Sequence, residues 1–395
     1  MIFDYDVAVV GSGPAGTSTA LHLVRRERVD ASRIVVLEKA SHPRDKPCAG
    51  AVSTWGLDAL HAVGIPLDVP HVVMRGLRVF AGATVGTHAA RRGVVVRRCE
   101  FDWSLWRHAA AEGVAMRENE PLVSVEAVAG GWKVTSRLRT VTARYLAACD
   151  GSASTVRRLL GLRETARKGH LYVTETPLRS GDVGPEQGLC DFDLRVADSG
   201  IEGYYWDFPT IIDGKRSVSR GIYHANFTRG SSLKEAFARA LAARGWRIDD
   251  LRLKPFSTRP LVRGALLFKP RLVFVGEAAG IDATTGEGIA QAILMGGLAA
   301  KHLARALRAP DGSLAGYAEE LAHAPVGRHL MQSAWLARRV YGPGGAKWRA
   351  FLAQDAFARE AGARWYAGSS STWPTKVRLG IALGRALARA REPAR

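Results

Sequence analysis

The chain opens on a short β-branched run, YDVAVV (residues 5–10), with the pattern of a strand buried on both faces. Helical periodicity follows from Pro14 to about Arg26. RIVVLEKA then predicts a second strand ending in Glu38, so the first forty residues read as a strand–helix–strand unit. Helical spacing returns at FDWSLWRHAAAEG (101–113). Alternating segments at 122–130 and 131–151 predict an antiparallel meander leading back to a buried strand. From 170 to 225 the pattern is strand and turn, rich in aromatic residues. SSLKEAFARALAARG (231–245) predicts a helix with a capping box between Ser232 and Glu235. RLVFVG (271–276) repeats the parallel-strand pattern, a helix begins near Gly288, and the chain beyond 310 reads as helices.

The turn after the first strand is GSGPAG, which sets Gly11, Gly13 and Gly16 at GxGxxG spacing with Pro14 and Ala15 between them. In a chain with 42 glycines this spacing alone is a weak signal. Its context strengthens it: a strand precedes it, a helix follows, and Glu38 ends the next strand 22 residues beyond Gly16. The first glycine makes the tight turn, the second lets backbone approach a pyrophosphate, and the third lets helix and strand pack closely. The helix N-terminus stabilises phosphate charge, and the acid accepts a ribose hydroxyl. Lys39 stands beside that acid. A glycine-rich turn without a ligand is the other reading. The pattern predicts an α/β chain with a Rossmann-type dinucleotide-binding domain, and both NAD and FAD use such a unit.

Two later stretches bear on that choice. LVFVGEAAG (272–280) is a strand ending at Gly276–Glu277 and followed by small residues. ACDGSASTVRRLLG (148–161) carries Asp150 and Gly151. With GxGxxG and Glu38, in this order, they resemble the large flavoprotein superfamily with a p-hydroxybenzoate-hydroxylase-like fold, over about residues 4–300. The resemblance implies FAD. It implies an FAD-binding domain assembled from residues 1–70, 97–165 and 255–308, an inserted antiparallel-sheet substrate domain from 71–96 and 166–254, and a helical C-terminal region, 309–395. It sets Gly276 and Glu277 at the ribityl chain, and Asp150, Gly151 and Arg157 on the nucleotide face. Gly286, Gly288 and Ile289 open a helix whose N-terminus would face the flavin pyrimidine end and stabilise negative charge there. Two departures stand out: the late acid is usually aspartate, and IDATTGEG (281–288) lacks the proline that often precedes the helix-opening glycine.

Two further stretches resemble the geranylgeranyl reductase branch. RDKPCAG (44–50) is similar to its R-x-K-x-C-G-G segment, with Ala49 replacing a glycine. YYWDFP (204–209) is similar to its Y-x-W-x-F-P pattern, and the G-x-G expected after it appears as Ser219, Arg220 and Gly221. Tyr204, Trp206 and Phe208 alternate along a strand and so share one face, with Pro209 expected to end it. The resemblance makes Tyr204, Trp206, Phe208, Pro209 and Gly221 a substrate wall. An aromatic sheet core is the alternative. RRCEFDWSLWRHA (97–109) resembles a family segment R-x-x-F-D-x-x-L, which makes Arg98 a candidate flavin contact, a solvated surface cation being the other reading.

The activity implied is reduction of C=C bonds in an apolar prenyl-like or polyene substrate, with hydride from flavin N5. A flavin monooxygenase acting on an apolar or carrier-bound metabolite is the alternative, because one fold serves both. A halogenase and a non-catalytic flavin-binding, membrane-associated protein are weaker readings, the halogenase W-x-W-x-I-P signature being absent. No second GxGxxG in strand–helix context is evident, so NAD(P)H or a reduced ferredoxin-like donor is expected to bind transiently. In the 44–50 loop, Arg44 and Lys46 would neutralise phosphate or the reduced flavin. Pro47 stiffens the loop, Ala49 and Gly50 follow, and Gly50 would let backbone approach the ring. Cys48 is the candidate catalytic residue, either donating a proton or lining the cavity.

Charge adds a partner class. The chain has 56 Lys and Arg against 37 Asp and Glu, a net +19. Such a surface attracts anionic substrates, acyl carriers, acidic electron-transfer proteins or anionic lipid. No helix-turn-helix, zinc-finger or RNA-binding signature accompanies it, so no nucleic acid is expected. The four cysteines form no CxxC pair, so no metal is expected. WPTKVRLGIALGRALARAREPAR (373–395) sets Leu379, Ile381, Leu383 and Leu387 among Arg378, Arg385, Arg389 and Arg391. It reads either as an amphipathic helix lying on anionic lipid or as one docked on its own protein. The N-terminus runs straight into the first strand, so a cytoplasmic location is expected, with the inner face of the membrane as the site of any peripheral contact.

Overall fold

The computed structural model describes residues 2–162, 168–226, 232–262, 264–368 and 372–389. At its centre Tyr5–Val10 runs parallel to Thr140–Ala148 on one side and to Ile34–Leu37 on the other. Val7, Ala8 and Val9 are fully buried, which explains their unbroken apolar run. Leu272–Phe274 and Ala115–Arg117 extend this sheet in parallel at its two sides. The meander Leu122–Val128, Gly131–Ser136 leads antiparallel into Thr140–Ala148, as its alternation predicts.

Two helices cross one face of the sheet against each other, Pro14–Arg25 and Ile289–Arg308. Small residues let them approach: a Cβ on Gly296 would lie 2.9 Å from the Ser18 side chain. The helix Arg98–Ala111 packs beside the first of them.

A seven-stranded sheet runs Lys254–Thr258, Gly169–Pro177, Lys215–His224, Gly203–Ile212, Leu189–Asp193, Gly76–Ala81, Thr84–His88. A separate three-stranded sheet of Ala51–Ser53, Gly93–Val96 and His71–Met74 packs Ala51, Met74 and Val95 against its aromatic face. Residues 71–96 are therefore divided between two sheets, and Lys254–Thr258 borders the second sheet rather than continuing the first. Among the described residues, five helices follow Arg308: Gly316–His323, Pro325–Tyr341, Gly345–Gln354, Ala356–Tyr366 and Trp373–Arg389.

Two local expectations are corrected. Pro209 does not end its strand, which continues to Ile212 with Pro209 opposite Val218. The neighbour on the other side, Leu189–Asp193, pairs only with residues 205–207, so at Pro209 that edge needs no N–H donor. The helix Leu233–Ala242 forms with Ser232 at its N-cap and Glu235 in its first turn, but no side-chain cap bond is made. Burial of Leu233, Ala236, Phe237, Ala240 and Leu241 accounts for that helix without the box.

Candidate functional site

The C-terminal end of the first strand opens onto a cavity of about 500 Å³. Its floor is the glycine turn. Gly11 has φ +94°, and a Cβ there would lie 2.7 Å from the Cys149 carbonyl. A Cβ on Gly16 would fall 1.8 Å from the Gly11 carbonyl oxygen. These two glycines hold strand and helix together. Gly13 differs: a Cβ there would meet only the guanidinium ends of Arg44 at 3.4 Å and Arg98 at 4.0 Å. It leaves open a helix N-terminus faced by two arginines, the donor set that suits a pyrophosphate.

Glu38 follows the second strand and lines this cavity. Its Oε2 accepts from the Ser12 amide and hydroxyl, both at 2.9 Å, and its Oε1 accepts from the Ala40 amide at 3.1 Å. Burial raises this carboxyl, but Arg44 and the Ser12 bonds outweigh it and hold Glu38 below the usual carboxylate range. An ionised acid at this place suits a ribose hydroxyl.

Arg98 and Asp102, one helical turn apart, form a buried bidentate pair at 2.7 and 2.8 Å. Arg44 reaches the same carboxylate at 3.1 Å and Glu38 at 3.7 Å. Arg98 is 7% exposed, so it is a buried cation and not a surface one. Across the cavity Lys46 pairs with Glu277 at 3.2 Å and lies 4.6 Å over the Phe256 ring. The cations of the 44–50 loop are thus held on carboxylates at the cavity wall.

Asp150 Oδ2 accepts from the Val156 amide at 2.9 Å, while its Oδ1 is buried with no hydrogen-bond partner. Burial pushes this carboxyl up. An acceptor left without a donor at the cavity wall fits a ligand carrying hydroxyl or amide donors. With the glycine cradle, the paired arginines and Glu38, the residues fit an adenine dinucleotide.

The cavity brings together Gly11, Gly13, Pro14, Ala15, Glu38, Lys39, Arg44, Lys46, Pro47, Cys48, Arg98, Asp150, Gly151, Glu277, Gly286, Gly288 and Ile289. Gly16 and Gly276 lie behind it. Gly276, at φ +61°, lets its turn pass the Ala15 methyl. Arg157 also lies behind, where it donates to Ala278 O at 2.8 Å and Leu266 O at 2.6 Å and so anchors that turn.

Gly50 is corrected in its role. Its Cβ would lie 2.0 Å from the Val96 carbonyl oxygen, so it answers to the neighbouring strand and not to a ring in the cavity. Ala49 packs its methyl against the aromatic cluster of the seven-stranded sheet. Cys48 lines the cavity beside Arg98, and its Sγ accepts from the Gly50 amide at 3.4 Å.

Tyr204, Trp206 and Phe208 do share one face, all buried. They pack with Phe192, Tyr223 and Tyr366 and do not line the cavity. Tyr204 donates to Thr285 O at 2.5 Å, and the Trp206 indole donates to Ser219 Oγ at 3.4 Å. Ser219, which stands where the family pattern has glycine, is thus the acceptor for that indole. Gly221 makes room for it, since a Cβ there would lie 2.1 Å from the Trp206 ring. Pro209 continues the same strand.

Sequence reasoning missed Asp102 and Ser12. Ser12 is the variable position inside GxGxxG. Asp102 stood in the quoted R-x-x-F-D segment, and its spacing from Arg98 carried the signal. It also missed Phe256 and Thr258, which reach the cavity from a strand distant in sequence.

Residues 4–184 match the FAD binding domain family. Over 369 residues the chain is 27% identical to conditioned medium factor receptor 1 of Dictyostelium discoideum, covering 85% of this chain and 68% of that one. It is 28% identical over 233 residues to menaquinone reductase of Mycobacterium tuberculosis, the match covering 55% of this chain and 54% of that protein. It is 26% identical to digeranylgeranylglycerophospholipid reductase of Methanocella arvoryzae, over 78% and 80% of the two chains. The fold matches a crystal structure of a geranylgeranyl bacteriochlorophyll reductase-like protein from Thermoplasma acidophilum, with a TM-score of 0.72 at 20% identity, over 98% and 96% of the chains.

The FAD-binding match and these reductase relatives, with the shared fold, make the chain an FAD-dependent oxidoreductase. Its fold is that of the geranylgeranyl bacteriochlorophyll reductase-like protein along nearly the whole chain.

Proposed function

We propose that this protein reduces C=C bonds in an apolar, prenyl-like substrate. The observation that carries the reading is the placement of the 44–50 loop: Arg44, Lys46, Pro47 and Cys48 all line the cavity. That loop is the segment that resembles the reductase branch. Two of the similar proteins are themselves named as reductases, one of a menaquinone and one of a digeranylgeranylglycerophospholipid.

When bound, FAD supplies two-electron transfer from its isoalloxazine. The chain's own residues bind and orient it. The open N-terminus at Gly13 with Arg44 and Arg98 would hold the pyrophosphate, Glu38 the ribose, and Asp150 Oδ1 would accept from a donor of the cofactor. Gly288 caps the helix Ile289–Arg308 at the cavity edge, so that helix end favours negative charge there. Cys48, beside Arg98, is the thiol from which a substrate carbon takes its proton. NAD(P)H or a reduced ferredoxin-like protein supplies electrons, and the net charge of +19 suits an acidic donor or an anionic substrate.

The test is anaerobic. Protein loaded with FAD and reduced with dithionite is mixed with an isoprenoid lipid, and the flavin absorption is followed. Return of the oxidised spectrum without oxygen supports the reading. A flavin that stays reduced with every isoprenoid, and reoxidises only in air, overturns it.

A further inference from the structure

Behind the cavity lies a group of buried polar side chains that the proposed chemistry does not use. Glu287 stands between Gly286 and Gly288, both of which line the cavity. Its own side chain turns the other way, into the interior, and the residue is 7% exposed. Gln291 Nε2 donates to Glu287 Oε2 at 3.3 Å and lies 3.5 Å from His329 Nε2. His329 Nε2 in turn lies 3.2 Å from Asp282 Oδ2 and stacks on Trp365 at 4.3 Å. Three atoms of the group are buried without a partner: Glu287 Oε1, Gln291 Oε1 and Ser53 Oγ.

The loop carrying Glu287 is held in place by its surroundings. Asp282 Oδ1 accepts from the Thr284 and Thr285 amides at 2.6 and 2.7 Å. Tyr204, Tyr223 and Tyr341 each donate a phenol hydrogen to a loop carbonyl. A carboxyl fixed one residue from the cavity cannot swing out to water, so its charge must be settled where it sits.

The groups facing it explain that charge. Asp282 is on its own loop and Gln291 on the helix that follows. His329 comes from Pro325–Tyr341, Tyr366 from Ala356–Tyr366, and Ser53 from the strand that follows the Cys48 loop. Burial is the largest influence and pushes Glu287 up to about 7. Asp282 adds to it, and His329, Gln291 and Ser53 oppose it. The Gln291 amide and the Ser53 hydroxyl are the donors that face an ionised carboxylate here, and they do not offset the cost of burying its charge. Negative charge entering the cavity across the 286–288 loop favours the acid further.

We propose that Glu287 is a proton-exchanging carboxyl coupled to the cavity: it takes up one proton from water when the bound cofactor accepts two electrons from a donor, and returns it when those electrons leave. It touches neither cofactor nor substrate. It acts through the loop as a charge-setting residue, and the proposal rests on FAD being the ligand of the cavity.

The experiment uses FAD-loaded protein, photoreduced or reduced with dithionite under argon. The midpoint potential is measured between about pH 6 and pH 8, where each proton coupled to a two-electron couple adds about 30 mV per pH unit. Above its resting value near 7 the wild type is expected to run up to about 30 mV per pH unit steeper than E287Q. Parallel slopes overturn the proposal. Wild-type protein alone gives a second measurement that no folding failure can remove. A pH-indicator dye is expected to show one more proton taken up on reduction at neutral pH than at alkaline pH, and equal uptake at both overturns the proposal. Infrared titration of the flavin-free protein separates the two readings. A carboxylic-acid C=O band that disappears near neutral pH in the wild type and is missing from E287Q supports Glu287 even if FAD does not bind, and a band unchanged in E287Q overturns the Glu287 proposal while leaving the flavin reading standing.

Discussion

At the scale of single residues, the three glycines of one motif do different work. Gly16→Ala drives a Cβ to 1.8 Å from the backbone carbonyl oxygen of Gly11, and no rotamer change relieves that clash. It is expected to prevent folding, seen as loss of soluble protein on expression. Gly13→Ala meets only side-chain ends at 3.4 Å and beyond. It is expected to fold, with an unchanged melting temperature, and to bind FAD at least about tenfold more weakly, or about 1.4 kcal/mol. Equilibrium dialysis checks the affinity, and equal affinity would place the pyrophosphate elsewhere. Glu287 gives a pH signature. Its folded-state carboxyl lies above its unfolded value, so the folded chain binds more protons, and stability falls as pH rises from about 4.5 to about 7. Glu287→Gln removes that loss. The variant is expected to gain on the wild type across this window, by up to about 3 kcal/mol, and to run parallel above it. Urea denaturation at a series of pH values reads the difference.

At the scale of elements, the sequence carried local pattern well and long-range company poorly. The strand Tyr5–Val10, its helix and Glu38 were legible because each is marked within a few residues by an apolar run, a glycine or a terminal acid. The common face of Tyr204, Trp206 and Phe208 was legible from alternation alone. What covers that face was not. Tyr366 and Trp365 come from a helix some 160 residues away, and no period in the chain announces that they pack there. Pro209 read as a strand end because the sequence does not show how short its neighbour is. Arg98 read as either a ligand contact or a surface cation because burial of an Arg–Asp pair depends on what packs around it. The replacements Ala49 and Ser219 gain a reason only in three dimensions, one packing on the aromatic cluster and the other accepting the Trp206 indole hydrogen. Gly221→Ala tests that arrangement. A Cβ 2.1 Å from the indole must displace it, and a loss of about 1–3 kcal/mol is expected in chemical denaturation. No loss would mean that the ring moves freely.

At the scale of the molecule, charge and the last helix belong together. Among the described residues no helix is long and apolar enough to cross a membrane. Trp373–Arg389 exposes Val377 and Ile381, and Arg378 rests 4.0 Å over Phe357. Arg391 lies outside the described residues. We propose that this helix rests on anionic lipid. Full-length protein is expected to float with vesicles containing phosphatidylglycerol, and a chain ending at 370 to stay below. Flotation of both, or of neither, would assign the helix to its own protein.

The reductase reading itself is tested most directly by the mass of a product. The FAD-loaded protein is supplied with a reductant and an isoprenoid substrate under ¹⁸O₂. The account predicts a product heavier by two hydrogens and free of label, and a product carrying one labelled oxygen would contradict it.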